Sequence, residues 1–309
     1  MSTLPFNERL PNLDLLHQGK VCDTYFLPGY TNLRLPVRTD RVSTHNFLHK
    51  SLIQDKGSIL TALSIFWMDI LKRELGLKTH IVAYGKNIYD YLPGNPADYP
   101  ADLHLRAVVA ENLQMIPIEF IFRKRMVGSL WSEYYSKGLP NPYGIQLPND
   151  LKLMSEFSKT IFTPTDKSAT DEPLLTRDVH FEYGSVVRFM ENVYNLGRKH
   201  ALSKSVDIAD GKGEVGSDLR GRIVLADEWL TPDCCRFVDA DSIEIGQEPL
   251  WLDKEFLRQE AVRIWAGGKK HPLQFSSEIC AQTTARYHEI LERLTDKSLS
   301  DLQNSLGMN

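Results

Sequence analysis

The sequence predicts an α+β fold, on three observations. Strand-like stretches come in groups instead of alternating one for one with helices, which argues against a doubly wound parallel sheet. Two segments, 60–71 and 186–205, repeat apolar residues at three- and four-residue spacing, as an amphipathic helix does. The 309 residues leave room for two packed units at roughly 150 residues each. With 42% hydrophobic and 25% charged residues, the composition excludes a largely disordered chain.

The elements follow in order. Apolar stretches at 21–27 and 33–37, split by the turn dipeptide Pro28-Gly29, predict strands within a strand-and-turn region over 13–48. A helix starts at Lys56-Gly57, with Leu60, Leu63, Trp67 and Ile70/Leu71 on one face. Three prolines with Gly94 and Asn95 make 92–100 a loop. Strands are expected over 105–110 and 116–122, the second with Ile116, Ile118, Phe120 and Phe122 alternating against Glu119. The Pro-, Gly- and Asn-rich stretch 138–150 predicts a surface excursion. In the helix of 186–205, Val186, Phe189/Met190, Val193, Leu196/Gly197 and His200/Ala201 share a face, and Lys204 on that side marks its end. A strand over 222–226 and a helix over 278–294 complete the chain, with no internal repeat.

Charge and cysteine content narrow the function. With 36 Lys+Arg against 40 Asp+Glu, the net charge of −4 excludes wholesale polyanion binding, so no nucleic-acid partner is expected; a local basic cluster stays open. Cys22, Cys234, Cys235 and Cys280 form neither a C-x-x-C zinc spacing nor a disulfide framework, which points to a reducing compartment. The first 16 residues show no secretory pattern, and Asp69 interrupts the richest apolar run, so a membrane span is excluded and the cytoplasm is expected.

Some motif matches carry little. The segment 211–216 fits G-x-G-x-x-G, but a helix precedes it and a strand follows, the reverse of a dinucleotide site, so a glycine-rich β-turn is expected. His45 and His49 stand four apart without the intervening Glu of a metalloprotease, and a chance pair is the better reading. His200 reads as a core-edge or capping residue, and no P-loop or G-x-S-x-G occurs.

Three segments join glycine with charge in strand-turn contexts. In His17-Gln-Gly-Lys-Val-Cys-Asp-Thr-Tyr25, Gly19 lets backbone approach a phosphate while Lys20 supplies charge. The strand from Ile116 ends in Arg123, Lys124 and Arg125 before Gly128-Ser129, a pattern suited to phosphate or carboxylate and equally to a solvated basic hairpin. In Asp210-Gly-Lys-Gly-Glu214 the charged residues share a strand face, and Asp227 ends the next apolar strand. If the two strands pair, Glu214 and Asp227 can converge as oxygen ligands, with Lys212 balancing anionic charge beside them. A lone acidic hairpin is more often plain surface, and the apolar run into Asp227 favours partial burial here.

These segments carry a resemblance. In order along the chain stand Gly19-Lys-Val-Cys-Asp-Thr-Tyr25, Thr39-Asp-Arg-Val-Ser43, Lys56-Gly-Ser-Ile-Leu-Thr61, Arg123 with Val127-Gly-Ser129, Trp131-Ser-Glu-Tyr134 and Ile161-Phe-Thr-Pro-Thr-Asp-Lys167. Leu225-Ala-Asp-Glu-Trp-Leu-Thr-Pro-Asp233, Arg236-Phe237, Leu252-Asp-Lys254, Arg286-Tyr287 and Glu292-Arg-Leu-Thr295 follow. Together they resemble the phosphoribosylaminoimidazole-succinocarboxamide synthase (SAICAR synthetase) family of purine biosynthesis.

The resemblance implies a β-rich nucleotide-binding subdomain over 1–110 and an α+β catalytic subdomain over 111–309, with an ATP cleft between them and a C-terminal helix. It implies a ligase that uses ATP and Mg2+ to join carboxyaminoimidazole ribonucleotide (CAIR) to L-aspartate through an acyl phosphate, with these small molecules as partners, no nucleic acid or membrane, and the oligomeric state left open. Position by position, Gly19, Lys20 and Met115 match the ATP site, and Glu214 and Asp227 the metal site. Arg123, Ser129, Arg236, Lys167 and Asp171 match the substrate site, and Asp210, Lys212 and Asp233 surround the reacting carboxylate. The chain departs from the pattern at Cys22 (usually Arg), Asn46 (Asp), Gly213 (bulkier, often aromatic), Cys235 (Ser) and Val238 (Trp). The alternatives are a diverged ATP-dependent phosphotransferase and a catalytically silent nucleotide-binding paralogue.

Overall fold

The structure is a computed structural model that describes residues 9–168 and 170–309. Residues 1–8, part of the segment read for a secretory signal, lie outside the described ones. The α+β expectation is met by several antiparallel sheets with six α-helices among the described residues. The chain divides into two units, 1–113 with 254–309, and 114–253. The sequence reading drew its boundary at 110/111 and kept the C-terminal helix with the second part; here 254–309 packs with the first.

In the first unit, β1 (Leu15–Gln18), β2 (Cys22–Phe26), β3 (Leu33–Arg38), β6 (Ile81–Tyr84) and β7 (Val108–Glu111) form a sheet in the order β1-β2-β3-β7-β6. β4 (Arg41–Thr44) and β5 (Phe47–Leu52) pair separately. The helix α1 (Lys56–Leu75) starts where Lys56-Gly57 predicts and buries Ile59, Leu60, Leu63, Trp67 and Leu71, but also Thr61 and Ser64. A helix buried on most sides is the spine of a core and not a surface helix. Residues 105–106, expected in a strand, instead close the short helix α2 (Leu103–Arg106), and the strand begins at Val108.

The C-terminal elements α4 (Glu255–Trp265), α5 (Ser277–Thr295) and α6 (Leu299–Ser305) complete this unit. The segment after α4 docks on β5. Lys50 N–H donates to Leu273 O at 2.8 Å, and Phe275 N–H to Ser51 Oγ at 2.7 Å. Here His49 is fully buried: its Nδ1 accepts Leu273 N–H at 3.0 Å, so Nε2 carries the proton and donates to Thr44 Oγ1 at 2.7 Å. Both nitrogens are engaged, in keeping with the non-metal reading of the His45/His49 pair.

Burial, then the neighbouring His45, lowers His49 to about 4. The unfolded chain therefore takes up a proton near pH 6.5 that the folded chain refuses until about 4. Stability contributed at neutral pH is lost across that window, on the order of 2 kcal/mol. Urea midpoints measured from pH 7 to 4 should fall more steeply in the wild type than in His49→Asn, and parallel slopes would refute the assignment.

In the second unit the long strand β12 (Val206–Ser217) is central. β9 (Ile118–Arg125), β8 (Gln114–Met115), β13 (Ile223–Ala226) and β14 (Cys235–Asp239) all pair with it, and β10 (Glu156–Phe162) and β11 (Thr165–Asp166) pair with β9. The helix α3 (Thr176–Leu202) lies beside β12, with Tyr194 Oη donating to Ile208 O at 2.6 Å. α3 starts ten residues before the predicted 186, but non-helical torsions at Tyr183 separate its first turns from the amphipathic stretch. Phe120, Phe122, Phe162 and Tyr194 stack with centroids 5.1–6.1 Å apart.

The glycine-rich segment 211–216 is strand interior, not the expected β-turn. Gly213 shows why glycine belongs there: a Cβ would lie 2.6–2.7 Å from the ring of the fully buried Trp229. The indole fills the space that a bulkier residue at 213 would take.

Candidate active site

Asp210, Lys212 and Glu214 alternate along β12 and share one face, as the sequence predicts. Register sets Asp210 opposite Arg123 of β9 on one side and Arg236 of β14 on the other. An ion cluster across three strands results. Asp210 pairs with Arg123 and accepts Arg236 Nη1 at 2.8 and 3.0 Å. Arg123, almost fully buried, also donates to Thr163 Oγ1 at 2.9 Å, Val127 O at 3.2 Å and Ser129 Oγ at 3.4 Å. The Arg236 guanidinium rests on Gly128, where a Cβ would come within 2.7–2.9 Å of it and where φ is +60°. Both the close approach and the left-handed backbone call for glycine.

Asp210 is thus shared between two guanidiniums, groups whose planar forks of donors suit a phosphate or carboxylate. A neighbouring network makes the contrast. Buried Asp207 accepts Arg125 Nε at 2.5 Å and Arg198 Nε at 2.6 Å, and Glu156 accepts Arg198 Nη2 at 2.9 Å. Two cations meet two anions there, so that cluster clamps α3 to the sheet.

At the other end, β12 and β13 pair as the sequence reading requires. Glu214 stands opposite Ala226, and Asp227 follows with φ +55°. Burial, and then the negative charge of Asp227, hold the Glu214 carboxyl above the usual range, against the opposing pull of Lys167 and Lys212. Lys167 forms an ion pair with Glu214. Two carboxylates that repel each other in a partly buried place are a donor set that a hard divalent cation relieves. Among the described residues no group of three or more His, Cys, Asp or Glu is arranged to hold a metal. A cation here takes at most this carboxylate pair, with its other oxygens from substrate and water, which fits magnesium.

Lys212 lies between the two ends. Its Nζ donates to Glu119 Oε1 at 2.6 Å, and Glu119 Oε2 accepts Thr165 Oγ1 at 3.0 Å. Burial alone would lower the Lys212 ammonium, but Glu119, Glu214 and Asp171 outweigh it and raise it above its ordinary value. The lysine is held charged.

Nine of the sequence-predicted residues thus meet on this unit: Arg123, Ser129, Lys167, Asp171, Asp210, Lys212, Glu214, Asp227 and Arg236. Asp233 lies in the loop between β13 and β14, three residues before Arg236. Met115 is partly exposed on β8, opposite Gly216 of β12. Glu119 and Thr165 were missed. Glu119 read as the polar partner of an apolar alternation, although its spacing of four from Arg123 already put both on one strand face.

Gly19 and Lys20 belong to the first unit, between β1 and β2. Gly19 N–H donates to Cys22 O at 2.8 Å, and Lys20 Nζ to Asn46 Oδ1 at 2.7 Å. Buried Arg41 braces this turn, donating to Gly19 O at 3.2 Å and Asp23 Oδ1 at 2.5 Å, while Asp40 accepts Gly57 N–H at 2.9 Å. The first three motif segments are therefore joined in space.

Comparison with known proteins gives a consistent picture. A family model described as SAICAR synthetase matches residues 15–274. The phosphoribosylaminoimidazole-succinocarboxamide synthase of Desulfotalea psychrophila is 35% identical over 296 residues, covering 93% of this chain and 97% of that protein. The Saccharomyces cerevisiae protein of the same name is 33% identical over 305 residues, covering 93% and 96%. The SAICAR synthase from Saccharomyces cerevisiae, solved in complex with SAICAR, matches with a TM-score of 0.81 at 32% identity, over 94% of this chain and 97% of that one.

Proposed function

The chain belongs to the SAICAR synthetase family, and from that premise we propose that it is an ATP-dependent ligase of purine biosynthesis joining CAIR to L-aspartate to give SAICAR, ADP and phosphate. SAICAR in the 32%-identical yeast structure supports the product. The observation that carries the reading is the order of charged groups along β12: Asp210 shared by the Arg123 and Arg236 guanidiniums, a charged lysine at 212 and a carboxylate pair at 214 and 227. The four-residue interval from 210 to 214 spans about 13 Å of strand, a length that suits a phosphorylated ribonucleotide beside a polyphosphate.

In this reading the CAIR carboxylate attacks the γ-phosphorus of ATP, the bond to the β,γ-bridging oxygen breaks, and ADP leaves. The aspartate amine then attacks the carbonyl carbon of the acyl phosphate, phosphate departs and the amine loses a proton. Such transfer depends on positioning and charge neutralisation. Arg123, Ser129 and Arg236 hold the ribonucleotide, with Asp210 aiming both guanidiniums. Lys212 steadies the reacting carboxylate beside Asp233, and Lys167 and Asp171 line the substrate side. Gly19 and Lys20 take the ATP phosphates and Met115 the adenine. Magnesium, bound through Glu214 and Asp227, supplies charge neutralisation at the transferring phosphoryl group. We assign the reaction to the cytoplasm, a reducing compartment that suits four free cysteines.

Phosphate release with ATP and magnesium tests the proposal. Turnover that needs CAIR and L-aspartate together supports it; turnover with another acceptor alone favours a diverged phosphotransferase, and none with any acceptor a silent paralogue. Arg236→Ala should raise the KM for CAIR by about tenfold or more with a smaller effect on kcat, and an unchanged KM would remove the arginine from ribonucleotide binding.

A further inference from the structure

Two thiols of the second unit have no part in this chemistry. Cys234 and Cys235 have their Sγ atoms 3.8 Å apart, in contact. Adjacent strand residues point to opposite faces. These two do not, because Cys234 lies in a turn just before β14, where the N–H groups of Cys234 and Cys235 both donate to Thr231 O, at 3.1 and 2.9 Å. Cys235 is buried against Gly211, whose Cβ, if present, would lie 2.7 Å from its Sγ; Cys234 is half-buried and accepts Thr231 N–H at 3.3 Å. Burial, then the Cys234 thiol, pushes the Cys235 thiol well above the ordinary range. A Cys235 thiol held protonated is poorly suited to thiolate-driven oxidation, whereas the contact between the two sulfurs suits condensation of both with one thiophilic acid.

We propose that Cys234 and Cys235 form a vicinal dithiol that captures trivalent arsenicals, and that its occupation disables the neighbouring site. In the capture step an arsonous acid, R–As(OH)2, meets two thiols. Two As–O and two S–H bonds break, two As–S bonds form and two waters leave. Arsenic stays trivalent, so no oxidant or reductant is needed. The consequence follows from register. Cys235 stands opposite Gly211, Lys212 N–H donates to Cys234 O at 2.9 Å, and Arg236 is the next residue. An arsenic atom with its substituent has no room against Gly211, so the turn must shift and carry the Asp210–Arg236 pair with it. This second half rests on the proposed function; the capture does not.

Intact mass of the full chain with equimolar phenylarsine oxide tests the capture without requiring turnover. One adduct per chain is expected, kept in a Cys22→Ser/Cys280→Ser variant and lost in Cys234→Ser and in Cys235→Ser. It should be reversed by 2,3-dimercaptopropanol but not by an equal concentration of a monothiol. No adduct on the wild type, or an adduct that survives in Cys234→Ser, overturns the proposal. Turnover should fall at least tenfold in the adducted wild type and less than twofold in treated Cys234→Ser. An adducted wild type at full rate overturns the link to the site.

Discussion

Asp227→Asn is expected to lower magnesium-dependent turnover by roughly 10²–10³-fold while the protein stays folded. Asp227 has φ +55°, a backbone region that Asn tolerates nearly as well as Asp, so the substitution changes charge with little strain. Its side chain ends β13 beside Glu214, and its negative charge, after burial, keeps the Glu214 carboxyl above the usual range. On the proposed metal assignment, losing the charge would remove one metal oxygen of full strength and at the same time relax Glu214. Two readouts follow. The magnesium concentration for half-maximal rate should rise. On the proposed assignment the acid limb of the pH–rate profile follows Glu214 losing its proton, and it should move to lower pH because the repulsion that held the proton is gone. Wild-type rates from a variant with an unchanged unfolding midpoint would sink the assignment of Asp227 to the metal.

The sequence made the β12–β13 hairpin legible because its signals are local. Charge at alternate positions 210, 212 and 214 and an apolar run into Asp227 need only strand periodicity to be brought together. What it did not show is lateral. That Asp210 lies between Arg123 and Arg236 depends on which strands flank β12, and cross-strand neighbours 87 and 26 residues away leave no periodic trace. The turn assigned to 211–216 failed for a related reason. Glycine at 213 answers to the Trp229 indole lying against the strand, a tertiary contact, whereas local reading treats glycine as a bend. The packing of 254–309 with the first unit is equally non-local, resting on bonds such as Leu273 N–H to His49 Nδ1 across 224 residues.

Glu119→Gln should reduce kcat by about 10–10²-fold with little change in KM for CAIR, on the general scale of losing a positioned charge at a reacting group. Glu119 is 7% exposed and accepts both Lys212 Nζ and Thr165 Oγ1, so it acts through Lys212 as a positioning residue. Gln keeps the shape and one acceptor oxygen, so the hydrogen bond from Thr165 survives and stability changes little. What Gln lacks is the negative charge. Burial pulls the Lys212 ammonium down, and Glu119 leads the groups that reverse that pull. Without Glu119 the balance shifts toward the neutral amine, and the alkaline limb of the pH–rate profile should move to lower pH. Glu119→Asp, which keeps the charge on a shorter side chain, should restore most of that limb while recovering only part of kcat. A purely structural carboxylate would lower activity without moving the limb, so a Gln variant titrating with the wild-type profile would confine Glu119 to packing.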